Sequence, residues 1–156
     1  MVEALIQYNI KRESMKILLT ILTVLSPIML FATDIRSQEL STQNMQKQNT
    51  QIAKLAAQEL SKTLPQTIDK HTKLLKVTSN ETTLIYIFEI DATPKSDETI
   101  KKEDHTGMKE AVTIGVCRSS KRFLEANITI TYIYNSAKSK TELFRFDIDN
   151  KSCSNL

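Results

Sequence analysis

NITITYIYNSAKSKTELFRFDID (residues 127–149) decides the fold. In its first half Ile128, Ile130, Tyr132 and Tyr134 alternate with Thr129, Thr131 and Ile133. In its second half Phe144, Phe146 and Ile148 alternate with Arg145 and Asp147. A period of two in β-branched and aromatic residues predicts strands that turn one face to a core. Ser136 to Lys140 supply the turn between them, so the pair reads as an antiparallel hairpin.

The same pattern recurs upstream. Thr72–Thr78 and Thr82–Asp91 predict two more strands around the turn Ser79-Asn80-Glu81. Leu84, Tyr86, Phe88 and Ile90 share one face of the second strand, and Ile85 and Ile87 the other. Before them Ile52, Leu55, Ala56, Leu60 and Leu64 recur at helical spacing, and Pro65 ends that helix. Between the strand pairs, KSDETIKKEDH (95–105) reads as a charged surface loop leading into a helix over Thr106–Val116. A short helix follows, with Phe123 and Leu124 turned inward. Helix, two strands, helices, two strands predicts an α+β fold: an antiparallel sheet of about four strands with helices packed on one face. The predicted core sets Tyr86, Phe88, Ile128, Ile130, Tyr132, Phe144 and Phe146 against Leu55, Leu60 and Phe123.

The chain of 156 residues suits one domain plus a targeting segment. From Ile17 to Thr33 there is no charge, and Lys11, Arg12 and Lys16 precede that run. A basic region, an apolar region and a small residue at the end predict a secretory signal peptide over 15–32, cut after Ala32. An uncleaved anchor is the alternative. Residues 1–14 read as an upstream extension, because Met15-Lys16 is the more usual opening for such a signal. Residues 33–50 read as a flexible polar lead-in that turns helical after Ser41, and 51–156 as one α+β domain. Once cut, no membrane span is expected, and the place predicted is the periplasm or outside the cell. Removal of 1–32 takes three basic and two acidic residues and leaves a net charge of +2. Cys117 and Cys153 both lie in the remaining part, and an even cysteine count in an exported chain predicts a disulfide between them.

The composition excludes several classes. Gly107 and Gly115 are the only glycines, so no glycine-rich phosphate loop can be written. The 21 basic and 18 acidic residues are interspersed without a basic stripe, so no nucleic-acid partner is expected. There is no CxxC, HExxH or EF-hand spacing, and no metal or other cofactor is expected.

Leu64-Pro65, Asp69, Thr72, Leu74, Tyr86, Cys117, Leu124, Tyr132, Tyr134 and Cys153 together form a recurrent pattern over about residues 60–156. It resembles small uncharacterised secreted bacterial α+β proteins with a Y-x-Y strand and a bridging cysteine pair. The resemblance implies the fold and the disulfide, and no activity. This chain departs from it in carrying Ala126-Asn127 where a glycine often stands, and Ser136-Ala137-Lys138 where an Asp-Gly turn often stands.

Each reactive residue has a bland reading beside a chemical one. His105 is twelve residues from Cys117, yet an exported cysteine with a single partner is a bridge before it is a nucleophile. Asp69 reads as a turn carboxylate that accepts backbone N–H groups. His71 and His105 sit beside acidic residues in polar loops. The tyrosine pair reads as core. The favoured function is therefore an exported, disulfide-bridged, non-enzymatic protein. It would be an envelope accessory, similar in build to small pilotin-like domains, that binds a protein partner in the cell envelope. The candidate partner contacts are Thr129, Thr131 and Ile133 on the second sheet face, with Asp69 and His71. The alternatives are an inhibitor or immunity-type protein using the loop 95–105, and a small hydrolase using Asp69 or His71.

Overall fold

The structure is a computed structural model that describes residues 28–154. The expected extension 1–14, and the signal segment up to residue 27, lie outside the described residues. The chain divides into two compact units, 1–44 and 45–156. Of the first, the helical stretch from Ile28 is described. The second holds the sheet.

The elements run α1 (Ile28–Ser61), β1 (Gln66–Thr67), β2 (Thr72–Asn80), β3 (Thr83–Ile90), α2 (Asp97–Lys102), α3 (Thr106–Ser119), α4 (Lys121–Glu125), β4 (Thr129–Ser136) and β5 (Glu142–Ile148), with a final 3₁₀ turn at Lys151–Cys153. This is the expected α+β order. The segment 33–50, read from sequence as a lead-in, falls inside α1. Among the described residues, no helix is long and apolar enough to cross a membrane.

The five strands lie in the order β1-β2-β3-β4-β5. The sheet has one strand more than the four read from sequence, because β1 is only two residues long and carries no pattern. It is also mixed. β2–β3 and β4–β5 are the expected antiparallel pairs, but β3 and β4 are parallel, with Thr83 opposite Thr129 and Ile90 opposite Ser136. The cause is the connection. A parallel pair needs a crossover of a dozen or more residues, usually helical. Here α2, α3 and α4 return the chain to the end where β3 began.

The helices cover one sheet face, where three clusters build the core. Ala53 and Ala57 of α1 pack on Val77, Leu84 and Ile128. Val116 of α3 and Leu124 of α4 pack on Ile130 and Ile148. Phe88, Tyr134 and Phe146 form the third, with Phe144 against it. Phe88 stacks on Tyr134 with ring centroids 4.9 Å apart, and Tyr134 on Phe144 at 4.8 Å.

The buried face of α1 differs from the one expected. Ala53 and Ala57 point inward, while Ile52, Leu55 and Leu60 are 38%, 55% and 40% exposed. The physical reason is close approach: alanines let the helix backbone come near the sheet, where branched side chains would hold it off. Asn49, also buried, fixes the rotation by donating from Nδ2 to the Ala126 carbonyl at 2.6 Å. The charged segment 95–105 is likewise more ordered than a loop. Ser96 caps α2 by accepting from the Thr99 N–H, and acidic Asp97 and Glu98 open the helix while Lys101 and Lys102 close it, as the helix dipole favours. Ile100 is buried beneath it.

Candidate functional site

Cys117 in α3 and Cys153 in the final turn are bridged, with Cα atoms 5.7 Å apart. The bridge lies against the cluster of Val116, Leu124, Ile130 and Ile148. It ties the chain end to the helix layer and leaves no thiol, since there is no free cysteine.

Asp69 sits in the turn before β2. Its Oδ1 accepts the N–H groups of His71 at 2.7 Å and Thr72 at 2.8 Å. The His71 N–H bond, above all, holds the Asp69 carboxyl below its ordinary range. Its lone pairs are thus engaged in holding the turn. The His71 carbonyl accepts the Asp91 N–H at 2.8 Å, which pins that turn to the end of β3.

The structure brings both histidines of the chain to one groove of ≈ 340 Å³. Ile90, Ile100, Met108 and Phe144 give it an apolar floor, and Asp91, Lys95 and Glu103 stand around it. The His105 ring stacks on Phe144 at 3.9 Å, and its Nε2 lies 2.9 Å from the Ile100 carbonyl. Lys95 pairs with Glu103 at 2.6 Å, and Asp91 accepts from the Thr93 hydroxyl at 2.6 Å. Among the described residues, no group of three or more metal-type side chains comes together.

On the second sheet face, Thr131 is fully buried and donates its hydroxyl to Asp147 at 2.6 Å. Partial burial pushes the Asp147 carboxyl up, but that hydroxyl and the Arg145 guanidinium outweigh it and hold the group low. Thr129 and Ile133 are half-buried. The register sets Ile87 beside Ile133 and Ile85 beside Thr131. On the opposite face, burial pushes the Tyr86 and Tyr134 phenols up to about 12. They are packing groups and do not ionise near neutral pH.

A further groove, of ≈ 530 Å³, lies between α1 and β2. Lys54, Ala57, Gln58 and Ser61 form the helix wall, and Val77, Thr78 and Ser79 the strand wall. Sequence reading does not find it, because it depends on how a two-residue strand leaves the sheet edge open. The segment 95–105 projects less freely than a docking loop: Asp97 accepts from Ser139 at 2.5 Å in the β4–β5 turn.

A family model matches residues 47–144, from the buried half of α1 to β5. The chain belongs to the family described as a domain of unknown function (DUF8479). No curated protein matches it. Solved structures do. A "putative secreted protein" from Pseudomonas aeruginosa is 17% identical, with a TM-score of 0.63 over 70% of this chain and 96% of that one. The type 2 secretion pilotin EpsS of Vibrio vulnificus is 12% identical, with a TM-score of 0.58 over 71% and 96%. The type II secretion pilotin AspS of Vibrio cholerae is 16% identical, with a TM-score of 0.55 over 72% and 99%. At such identities these likenesses concern the fold. The DUF8479 domain of this chain thus has the architecture of those three proteins.

Proposed function

We propose that this DUF8479 protein is an exported accessory of the cell envelope that works by binding a protein partner, without catalysis. One observation carries the reading: nearly the whole length of two secretion pilotins superposes on this domain, at TM-scores of 0.58 and 0.55. Fold alone does not assign function, and three local features support the reading. Cys117 is bridged, Asp69 is spent on a turn, and Tyr86 and Tyr134 are core phenols. The uncharged run Ile17–Thr33 behind Lys16 supplies the export signal, and the bridge suits an oxidising compartment. The test is chemical cross-linking of the tagged full chain in intact cells, followed by fractionation. The reading expects the chain in the envelope or secreted fraction, cross-linked to one protein in a reproducible ratio. A chain recovered alone from the cytosol contradicts it.

A further inference from the structure

Strand β2 has two kinds of outer edge. Its first part is paired with β1: Leu74 lies opposite Gln66 and Lys73 opposite Thr67, and the Thr72 carbonyl accepts the Ile68 N–H at 2.9 Å. A bulge between Leu74 and Lys76 then adds one residue and resets the alternation. Beyond it, the Val77 carbonyl points outward, because it accepts the Ser61 hydroxyl at 2.7 Å. In an antiparallel ladder residues two apart aim their main-chain groups at the same side. Val77 and Ser79 therefore both present N–H and C=O groups to the outer edge. The strand β1 cannot follow, since it begins at Gln66, directly after Pro65. What faces this part of β2 instead is the groove walled by Lys54, Ala57, Gln58 and Ser61.

We propose that this groove takes an extended segment of the partner protein, which adds as a strand to the outer edge of β2 at Val77 and Ser79 and sets a carboxylate beside Lys54. This rests on the partner-binding reading above and gives it a site. Main-chain pairing supplies affinity in such strand addition, and side-chain contacts supply selectivity. A row of main-chain donors and acceptors along the edge, of which only the Val77 carbonyl already has a partner in Ser61, calls for a polypeptide strand, not a lipid or a nucleic acid. A carbonyl has two lone pairs, so Val77 can accept a partner N–H while keeping Ser61. Lys54 has no ion-pair partner among the described residues, and it is exposed on the groove wall. The Ser61 hydroxyl guards the edge in the unbound domain, as natural sheets guard exposed edges.

The experiment places a photo-crosslinking residue in the full chain, in living cells, at Gln58 in the groove, at Ile133 on the second sheet face, or at Ile52 on the outer side of α1. Mass spectrometry then identifies the joined segment, and that segment is synthesised as a peptide. The proposal expects products from Gln58. It expects the peptide to slow amide exchange at Val77 and Ser79 at least tenfold, while Lys54→Glu weakens its binding severalfold and flattens its salt dependence. It also expects Ser79→Pro, which removes an outward N–H and no β2–β3 bond, to lower binding at least tenfold. That loss counts in domains whose exchange protection over β3 and β4 is unchanged, and Lys54→Glu serves where Ser79→Pro does not fold. Products from Ile133 or Ile52 alone overturn the groove and leave the partner-binding reading standing, as does a peptide that leaves Val77 and Ser79 exchange unchanged. Silence at all three positions overturns both.

Discussion

Aspartates do much of the structural work at turns. Asp91, Asp97, Asp104 and Asp149 are held low chiefly by the hydroxyls of Thr93, Ser139, Thr106 and Ser152, and Asp69 by the His71 N–H. A carboxyl whose folded pKa is depressed contributes stability above its unfolded pKa, near 4, and loses it as pH falls through the folded value. The melting temperature should therefore be flat from neutral pH down to about pH 5 and fall below about pH 4. A fall already complete at pH 6 would contradict this. Left-handed backbone is the other residue-scale feature. Both glycines lie in α3, so positive φ falls to Glu81 at 48°, Asn127 at 57° and Lys140 at 61°. Asparagine tolerates that region, which suits Asn127 to the bend between α4 and β4. Glutamate does not, so Glu81→Gly should stabilise the hairpin by about 0.5–1 kcal/mol, read from denaturant midpoints. A loss of stability there would show that the Glu81 side chain is needed.

At the scale of elements, the strands were legible and the helix face was not. Ile128 to Tyr134 and Leu84 to Phe88 alternate visibly; Leu84, Phe88, Ile128, Ile130 and Tyr134 are buried as that alternation names, Tyr86 and Tyr132 are half-buried, and Thr131 is buried on the other face. In α1 the apolar stripe misleads, because size and burial run opposite: Ala53 and Ala57 are inside, while Ile52 and Leu55 are outside. Nothing local distinguishes a helix that must approach closely from one that packs through leucines. Phe146→Ala should cost about 3–5 kcal/mol as a buried aromatic. Leu55→Ala, on an exposed face, should stay within about 0.5 kcal/mol. Equal losses in urea unfolding would restore the stripe of Ile52, Leu55 and Leu60 as the packing face. The parallel β3–β4 pair was hidden for a related reason: strand direction depends on where the crossover helices deliver the chain, and no strand residue encodes it.

Across the whole molecule the disulfide is the long-range constraint. It closes a separation of 36 residues between α3 and the chain end. The loop-entropy relation gives about 3.5–4 kcal/mol for a closure of that length, a large share of the ~5–15 kcal/mol that holds a domain folded. Replacing both cysteines by serine should lower the unfolding free energy by that order in oxidising buffer, and dithiothreitol should have the same effect on the parent chain. The pairing is readable from the even cysteine count together with the signal peptide that the sequence leads one to expect. The groove was not, because it arises from β1 stopping two residues into the sheet edge.

If the chain acts by binding while Asp69 and His71 serve its structure, complementation in the native host, read beside the melting temperature of each purified variant, separates the two roles. His71→Ala should restore the wild-type phenotype in full, and Asp69→Ala should do so in proportion to its remaining folded fraction, whereas Lys54→Glu, though folded, should complement only in part. Loss of function in Asp69→Ala or His71→Ala with the melting temperature unchanged would contradict this and make that turn part of the functional site.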